Sequence, residues 1–252
     1  MAAKNYKVFD GTTWVSPCDQ EVRMLMPDGV TWRLIDPANE DVKYFDGTTW
    51  KPMICVDPSL CPNCVPGDVT IATQTWTRCN ASITTYNNGD VIPEVSDPTA
   101  WAGLTTGAWC HVNNNPANEP IYGRLYNWYA INDPRGFAPS GYHVPTAVEW
   151  NLLINSQGGS AIAGGKLKES LYCHWYLPNT LATNLSGFTA LPGGERVSNG
   201  AFSAPGILGL WWSATPYNSA DAESFKMVYN STLVSTGHFT KKNGHSVRFI
   251  KD

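Results

Sequence analysis

The chain has 252 residues, of which 15% are charged, and a formal net charge of −4. That balance argues against a nucleic-acid partner, which needs a concentrated basic face, and no run of about 18 apolar residues is present to insert into a membrane. Eleven Trp, eleven Tyr, 22 Gly and 18 Pro favour strands and structured loops over a helical bundle.

The first segment repeats itself. "VFDGTTW" from Val8, "PDGVTW" from Pro27 and "FDGTTW" from Phe45 set Gly11, Gly29 and Gly47 at a spacing of 18, and Trp14, Trp32 and Trp50 at the same spacing. Asp-Gly between aromatic or β-branched residues is a hairpin signal, because it supplies the positive-φ positions of a tight turn. Residues 1–54 are therefore expected to form a small all-β domain of three 18-residue hairpins. One such hairpin cannot bury a core, whereas stacked neighbours can. Trp14, Trp32 and Trp50 are read as that shared core rather than as ligand-stacking rings. The segment Met1–Gly11 has no apolar stretch of the secretory type, so no leader is expected.

Residues 55–67, "CVDPSLCPNCVPG", read as a Cys- and Pro-rich linker. Seven Cys occur in the chain. Cys18, Cys55, Cys61 and Cys64 have the makings of a tetrahedral zinc site, but the second Cys-x-x-Cys of a zinc ribbon is missing. A disulfide staple or plain small apolar residues is the preferred reading. Pro on both sides of "CPNC" counts against a redox motif.

From Asp68 onward the chain alternates short strands with Trp-, Asn- and Gly-rich turns. "VPTAVEWNLLINSQ" predicts a helix capped by Thr146, with Glu149 at capping-box spacing. Its expected apolar face is Val148, Leu152 and Leu153, and Gly158-Gly159 ends it. A shorter helical turn is expected in "GGKLKES". Another helix is expected in "GRLYNWYAIND", with Leu125, Trp128 and Tyr129 on one face. At the C-terminal end "ESFKMVY", "TLVSTGHFT" and "HSVRFIK" predict three antiparallel strands, the first two joined at Asn230-Ser231.

The blocks "TQTWTRCNASITTYNNGDVIPEV", "WAGLTTGAWC", "YGRLYNWYAI", "GYHVPTAVEWNLL", "GGKLKES", "GFTALPGGER", "LWWSATPYN" and "HSVRFIKD", in this order, resemble the Fibrobacter succinogenes major paralogous domain over residues 68–252. The resemblance implies a C-type-lectin-like α+β fold of two helices and a twisted antiparallel sheet. That fold is shared with formylglycine-generating enzymes and with retroelement-diversified binding proteins. Members of the family often carry Cys where this chain has Ala138 and Phe249. Their joint absence fits the loss of one disulfide and counts against a disulfide-dependent extracellular form. Cys79 and Cys110 remain an open pairing. The "FDGTTW" repeats resemble, over a short length, segments of phage fibre and appendage proteins.

Catalysis finds little support in the residues. Formylglycine-generating enzymes hold copper with two late cysteines, whereas the last Cys here is Cys173. The five His form no His-x-x-x-His or His-Glu-x-x-His pattern, and no Gly-x-Ser-x-Gly elbow occurs. His143 and His174 are read as structural residues, His143 bonding backbone. "HVNNNPANEP" and "YNNGD" offer calcium-ligand oxygens, but Asn-rich turns explain both. No cofactor is expected.

The resemblance instead implies a recognition protein. Residues 216–244 correspond to the stretch that varies in the diversified relatives, and they are rich in types that build adaptable surfaces. The expected ligand-binding residues are Tyr217, Asn218, Asp221, Glu223, Ser224, Lys226, Tyr229, Leu233, Ser235, His238, Thr240 and His245. Phe225, Met227 and Val247 are expected to point inward, and Trp211-Trp212 to be core. The expected partner is a host cell-surface glycan or protein. The N-terminal repeats would bind other virion proteins and support a homotrimer. A phage virion surface is the expected location, with a bacterial cell-surface adhesin as the alternative.

Overall fold

Six short strands come first: β1 (Val8–Phe9), β2 (Trp14–Val15), β3 (Val22–Leu25), β4 (Trp32–Ile35), β5 (Lys43–Phe45) and β6 (Trp50–Pro52). They pair antiparallel as β1–β2, β3–β4 and β5–β6. Trp14, Trp32 and Trp50 each open a second strand, opposite Phe9, Leu25 and Phe45. The computed structural model describes the backbone of these strands, residue 61, and residues 63–170 and 173–252. The side chains of the three Trp, and Cys18 and Cys55, lie outside the described residues. The chain divides into two units, Met1–Cys61 and Pro62–Asp252.

The second unit contains β7 (Asp68–Ile71), β8 (Gln74–Thr77), α1 (Pro98–Ala102), β9 (Trp109–His111), α2 (Glu119–Tyr122), β10 (Arg124–Tyr126), α3 (Trp128–Ile131) and β11 (Tyr142–His143). Two longer helices follow, α4 (Ala147–Ser156) and α5 (Ser160–Leu167). Then come β12 (Glu195–Arg196), β13 (Phe202–Ser203), β14 (Leu208–Pro216), β15 (Asp221–Val228), β16 (Val234–Thr240) and β17 (Ile250–Lys251). Few helices and several antiparallel sheets make this an α+β or mostly-β chain. Among the described residues no helix is long and apolar enough to cross a membrane.

The capping box of α4 forms as its spacing predicts. Thr146 accepts from the Glu149 N–H, and the Glu149 carboxylate accepts from the Thr146 N–H. The buried face is different from the expected one. Trp150, Leu153 and Ile154 are buried, while Val148 is 69% and Leu152 53% exposed. Gln157 caps the helix, and Gly158 and Gly159, at φ 101° and 93°, turn the chain into α5. The segment expected as one helix around Leu125 and Trp128 is instead strand β10 followed by the single turn α3. Asn127 caps that turn, its carboxamide oxygen accepting from the Ala130 N–H.

Three apolar clusters fill the unit. The first packs Trp76, Trp150, Phe188, Trp211, Phe225 and Met227 against α4 and α5. Trp150 stacks on Phe225 at 5.1 Å and lies 4.8 Å from Trp76. The second gathers Tyr126, Trp128, Phe137, Trp212, Ala222, Val247 and Phe249, with Ala138 packed against it. A smaller third one surrounds Trp101, Cys110 and Leu125. All eight Trp beyond the repeats are at most 5% exposed, so the high Trp content of this unit is core. Each such ring removes roughly 200 Å² from water, on the order of 5 kcal/mol before ordering costs.

The cysteines bear out a disulfide staple over zinc and close the open pairing of Cys79 with Cys110. Cys64 is disulfide-bonded to Cys79, with Cα atoms 5.7 Å apart, and Cys61 and Cys173 are also disulfide-bonded. A zinc site built on Cys61 and Cys64 is therefore excluded, because a disulfide sulfur is no thiolate ligand. Cys79 does not pair with Cys110, which is free and buried. Cys64 also donates its N–H to the Pro120 carbonyl, so the end of the expected linker belongs to the second unit.

Candidate functional site

The C-terminal sheet has the order β14-β15-β16. "HSVRFIK" is not its third strand, contrary to expectation. Residues His245–Phe249 cross beside β14, where Ser246 donates to the Leu210 carbonyl and accepts from the Trp212 N–H. Only Ile250–Lys251 is a strand, and it pairs with β8 and β11 in another sheet. The segment shows no usable alternation because Ser246, Val247, Arg248 and Phe249 are all buried.

Residues directly opposite in an antiparallel pair share a face. In β15–β16, Asp221 lies opposite Thr240 and Glu223 opposite His238, while Ser224 faces Gly237 and Lys226 faces Ser235. The expected ligand residues thus divide between two faces of the sheet. Asp221, Glu223, His238 and Thr240 share one. Ser224, Lys226 and Ser235 share the other. Strand β15 buries Ala222 and Ser224 at one end and Phe225 and Met227 at the other, so its buried side switches halfway along.

On the first face an aromatic platform stands out. Tyr217, 56% exposed, lies parallel on the exposed His238 ring, with centroids 3.5 Å apart and an interplanar angle of 8°. The loop that carries it is held by its own bonds. Tyr217 and Asn218 donate their N–H groups to the Asp221 carbonyl. The Asn218 side-chain oxygen accepts from the Ala220 and Asp221 N–H groups, both at 2.7 Å, and its amide donates to the Asp221 carboxylate. From behind, the Lys241 ammonium donates to the Asn218 and Ser219 carbonyls at 2.8 and 3.1 Å. It sits 4.5 Å from the centroid of the Trp128 ring. The result is a pre-ordered aromatic face flanked by Glu223, Asp221 and Asn218, so little ordering entropy remains to be lost on binding.

Ser224 and His245 are not ligand contacts. Both have 0% exposure. His245 stacks on Trp212 at 4.1 Å. Its Nδ1 lies 2.9 Å from Ser224 Oγ and its Nε2 3.2 Å from Glu195 Oε2. Ser224 Oγ also lies 2.8 Å from the Trp211 carbonyl. Burial lowers the His245 pKa and outweighs the opposing pull of Glu195. Burial raises that of Glu195, but His245, the Asn243 amide and Lys226 together hold it below the usual carboxylate range. A neutral imidazole then donates from Nε2 to the ionised carboxylate. Serine, histidine and carboxylate in a row suggest a nucleophile relay, but no substrate reaches a serine with no exposed surface. The cluster instead ties the C-terminal segment to β12 and β15. Glu195 and Asn243 were not expected. Glu195 stands within the "GFTALPGGER" block.

The remaining expected residues are spread out. Tyr229 is half-buried against the first cluster and donates its N–H to the Ile207 carbonyl. Leu233 is exposed, just before β16. His143 and His174 bond carboxylates rather than backbone. His143 bridges Glu149 and Asp252, both at 2.7 Å, and His174 Nδ1 meets both Glu169 oxygens at 2.9 Å. The amides of "HVNNNPANEP" hold backbone: Asn114 donates to the Ser96 carbonyl of a distant segment and Asn118 to that of Val112.

The sequence model of the Fibrobacter succinogenes major domain matches residues 69–251. The chain belongs to that family. No curated protein and no solved structure matches it. The Fibrobacter succinogenes major domain therefore comprises the second unit, platform included, and leaves out the three N-terminal hairpins. Phe249 lies in the second core cluster, and Ala138 packs against it.

Proposed function

We propose that the protein is a non-enzymatic recognition protein whose second unit is C-type-lectin-like and binds a host cell-surface glycan or protein through the Tyr217–His238 face. The observation that carries this reading is the exposed parallel stack on a pre-ordered loop. A flat ring beside carboxylates and an amide fits a sugar ring, which offers C–H groups to the aromatic face and hydroxyls to the acceptors. The N-terminal hairpins serve as the mount, on a phage virion in the first reading.

A second reading, a bacterial cell-surface adhesin, is favoured by one observation. The Cys64–Cys79 disulfide suits a protein that folds outside the reducing cytoplasm. Mass spectrometry of purified virions and of washed cell envelopes separates the two locations. Binding is tested on a glycan array and on whole host cells with Tyr217→Ala and His238→Ala. Each change is expected to weaken binding at least tenfold while leaving the melting temperature nearly unchanged. Binding that survives both changes rejects this face as the ligand site.

A further inference from the structure

We propose that β16 is the seam of a two-fold dimer, pairing antiparallel with β16 of a second copy about Gly237. The strand lies at the edge of its sheet. The opposite edge, along β14, is closed. Leu208 and Leu210 accept from Gly194 and Ser246, Trp212 donates to Ser246, and Ala214 donates to Pro145. Helix α5 packs beside the start of β16 and Gly164 donates to the Thr232 carbonyl just before it, but the strand itself is left unpaired on that side. Among the described residues, Val234–Phe239 make no backbone hydrogen bond other than those to β15.

Proteins normally block such an edge with lysine, proline, a bulge or a covering element. From Asn230 to Thr240 the sequence has no Asp, Glu, Lys, Arg or Pro. The register with β15 runs unbroken from Asp221↔Thr240 to Met227↔Val234, so no bulge twists the edge away. Gly237 leaves room for the Phe239 ring, whose atoms come within 2.6 Å of where a Cβ would stand. The ring therefore lies back over its own strand.

Self-complementarity selects a second copy as the occupant. Centring the pairing on Gly237, the midpoint of β16, sets Val234 opposite Thr240, Ser235 opposite Phe239 and Thr236 opposite His238, each contact made twice. No like charges meet across the seam. Asp221, Glu223 and Lys226 stand one strand back, and Lys241 follows Thr240 just past the end of the strand. A seven-residue ladder buries less than a standard interface of roughly 1,600 Å², so a micromolar dimer is expected. The two-fold axis would set both His238 rings on one face, roughly 8 Å apart by strand geometry. If the Tyr217–His238 face is the ligand site, the dimer is bivalent. The pairing itself does not depend on that reading.

The test is sedimentation equilibrium of the full chain over about 1–200 μM, the range appropriate to a small interface. The wild type is expected to pass from monomer to dimer rather than to the homotrimer that the N-terminal repeats suggest. Thr236→Asp with His238→Asp sets like charges opposite each other across the axis and should weaken the dimer at least tenfold. Thr236→Asp with His238→Lys sets opposite charges there and should restore it, and an unchanged melting temperature of the Asp/Asp variant shows that its loss of dimer is not unfolding. A wild type that stays monomeric, an assembly of another order, a like-charge variant that dimerises normally, or a charge swap that fails to recover the dimer would each overturn the proposal.

Discussion

Replacing Lys168 by Met should change how the stability of the protein depends on pH. Lys168 follows directly on α5 and has no exposed surface. Its ammonium donates to the Val228 and Tyr229 carbonyls at 3.1 and 3.3 Å and sits 5.3 Å from the Trp175 ring centroid. Among the described residues no carboxylate pairs with it. Burial therefore pulls its pKa down to about 8, against about 10.4 in an unfolded chain. Between those values the unfolded chain holds more protons than the folded one, so stability rises with pH. From pH 7 to pH 9.5 the linked gain is about 2 kcal/mol. Lys168→Met lacks it. Urea unfolding of both proteins at steps across this range gives the difference directly, and titrations common to both, those of the tyrosines included, cancel. The Met variant leaves two carbonyls without their donor, so the absolute difference at pH 7 is not the readout. Its slope with pH is. A flat difference would mean that the ammonium titrates as it does in water, and the argument from burial would fail.

Four further outcomes are expected. His143 has its pKa lowered by burial but raised overall by Asp252 and Glu149, so its contribution is full below about pH 6.5 and is lost as pH rises through the folded value. His143→Gln should flatten that decline in melts from pH 5.5 to 8.5, by less than about 1 kcal/mol because the pair is partly exposed; an unchanged profile counts against the clasp. Cys64→Ala with Cys79→Ala opens a loop of sequence separation 15 and should cost about 3 kcal/mol in denaturant titrations; an unshifted midpoint would show that the bridge does little. The Cys110 thiol, pushed up to about 12 by burial, should resist iodoacetamide at pH 8 until urea is added, and labelling of the native protein contradicts its buried position. Ser224→Ala should cost about 1–3 kcal/mol yet leave binding to cells intact, and a loss of binding without a loss of stability would return Ser224 to the ligand site.

Local chemistry was readable in the sequence, and long-range covering was not. The capping box of α4 is a contact three residues long, so "TAVE" announces it. The buried face of the same helix depends on what lies beside it. Val148, Trp150, Leu152, Leu153 and Ile154 leave hardly any polar side, and only the stack of Trp150 on Phe225 decides which residues turn inward. The same holds for the candidate site. Tyr217 and His238 were both expected at the surface, yet nothing in the sequence says that the register of β15 with β16 brings them into contact. Strict alternation with one face solvated throughout turns Ser224 outward, whereas Ser224 is buried, and His245, outside that sheet, is buried as well. The two faces are covered at different ends, one by α4 and α5 and the other by the segment ending at Phe249, so the buried parity of β15 changes in mid-strand. Disulfide partners, likewise, depend on which turns approach in space.

A unit with so much irregular chain needs something besides sheets and helices to fix its loops, and three cations with no exposed surface supply it. Arg248 donates to Asn80 and to the carbonyls of Thr77, Phe188 and Thr189. Arg196 donates to those of Val95, Ser96 and Gly200, and Lys168 to those of Val228 and Tyr229. Each lies against an aromatic ring: Phe188 for Arg248, Trp101 for Arg196 and Trp175 for Lys168. A buried charge without a carboxylate is costly. Several carbonyl dipoles and a π face offset that cost only if every loop is in place, which makes the arrangement cooperative. The anchors engage none of the side chains on the Tyr217–His238 face, so residues there can change without loosening the loops beneath. Lys241 is the exception. It grips the Asn218 and Ser219 carbonyls from the buried side, so the position of the platform is set from within the fold while its outward chemistry stays open to variation.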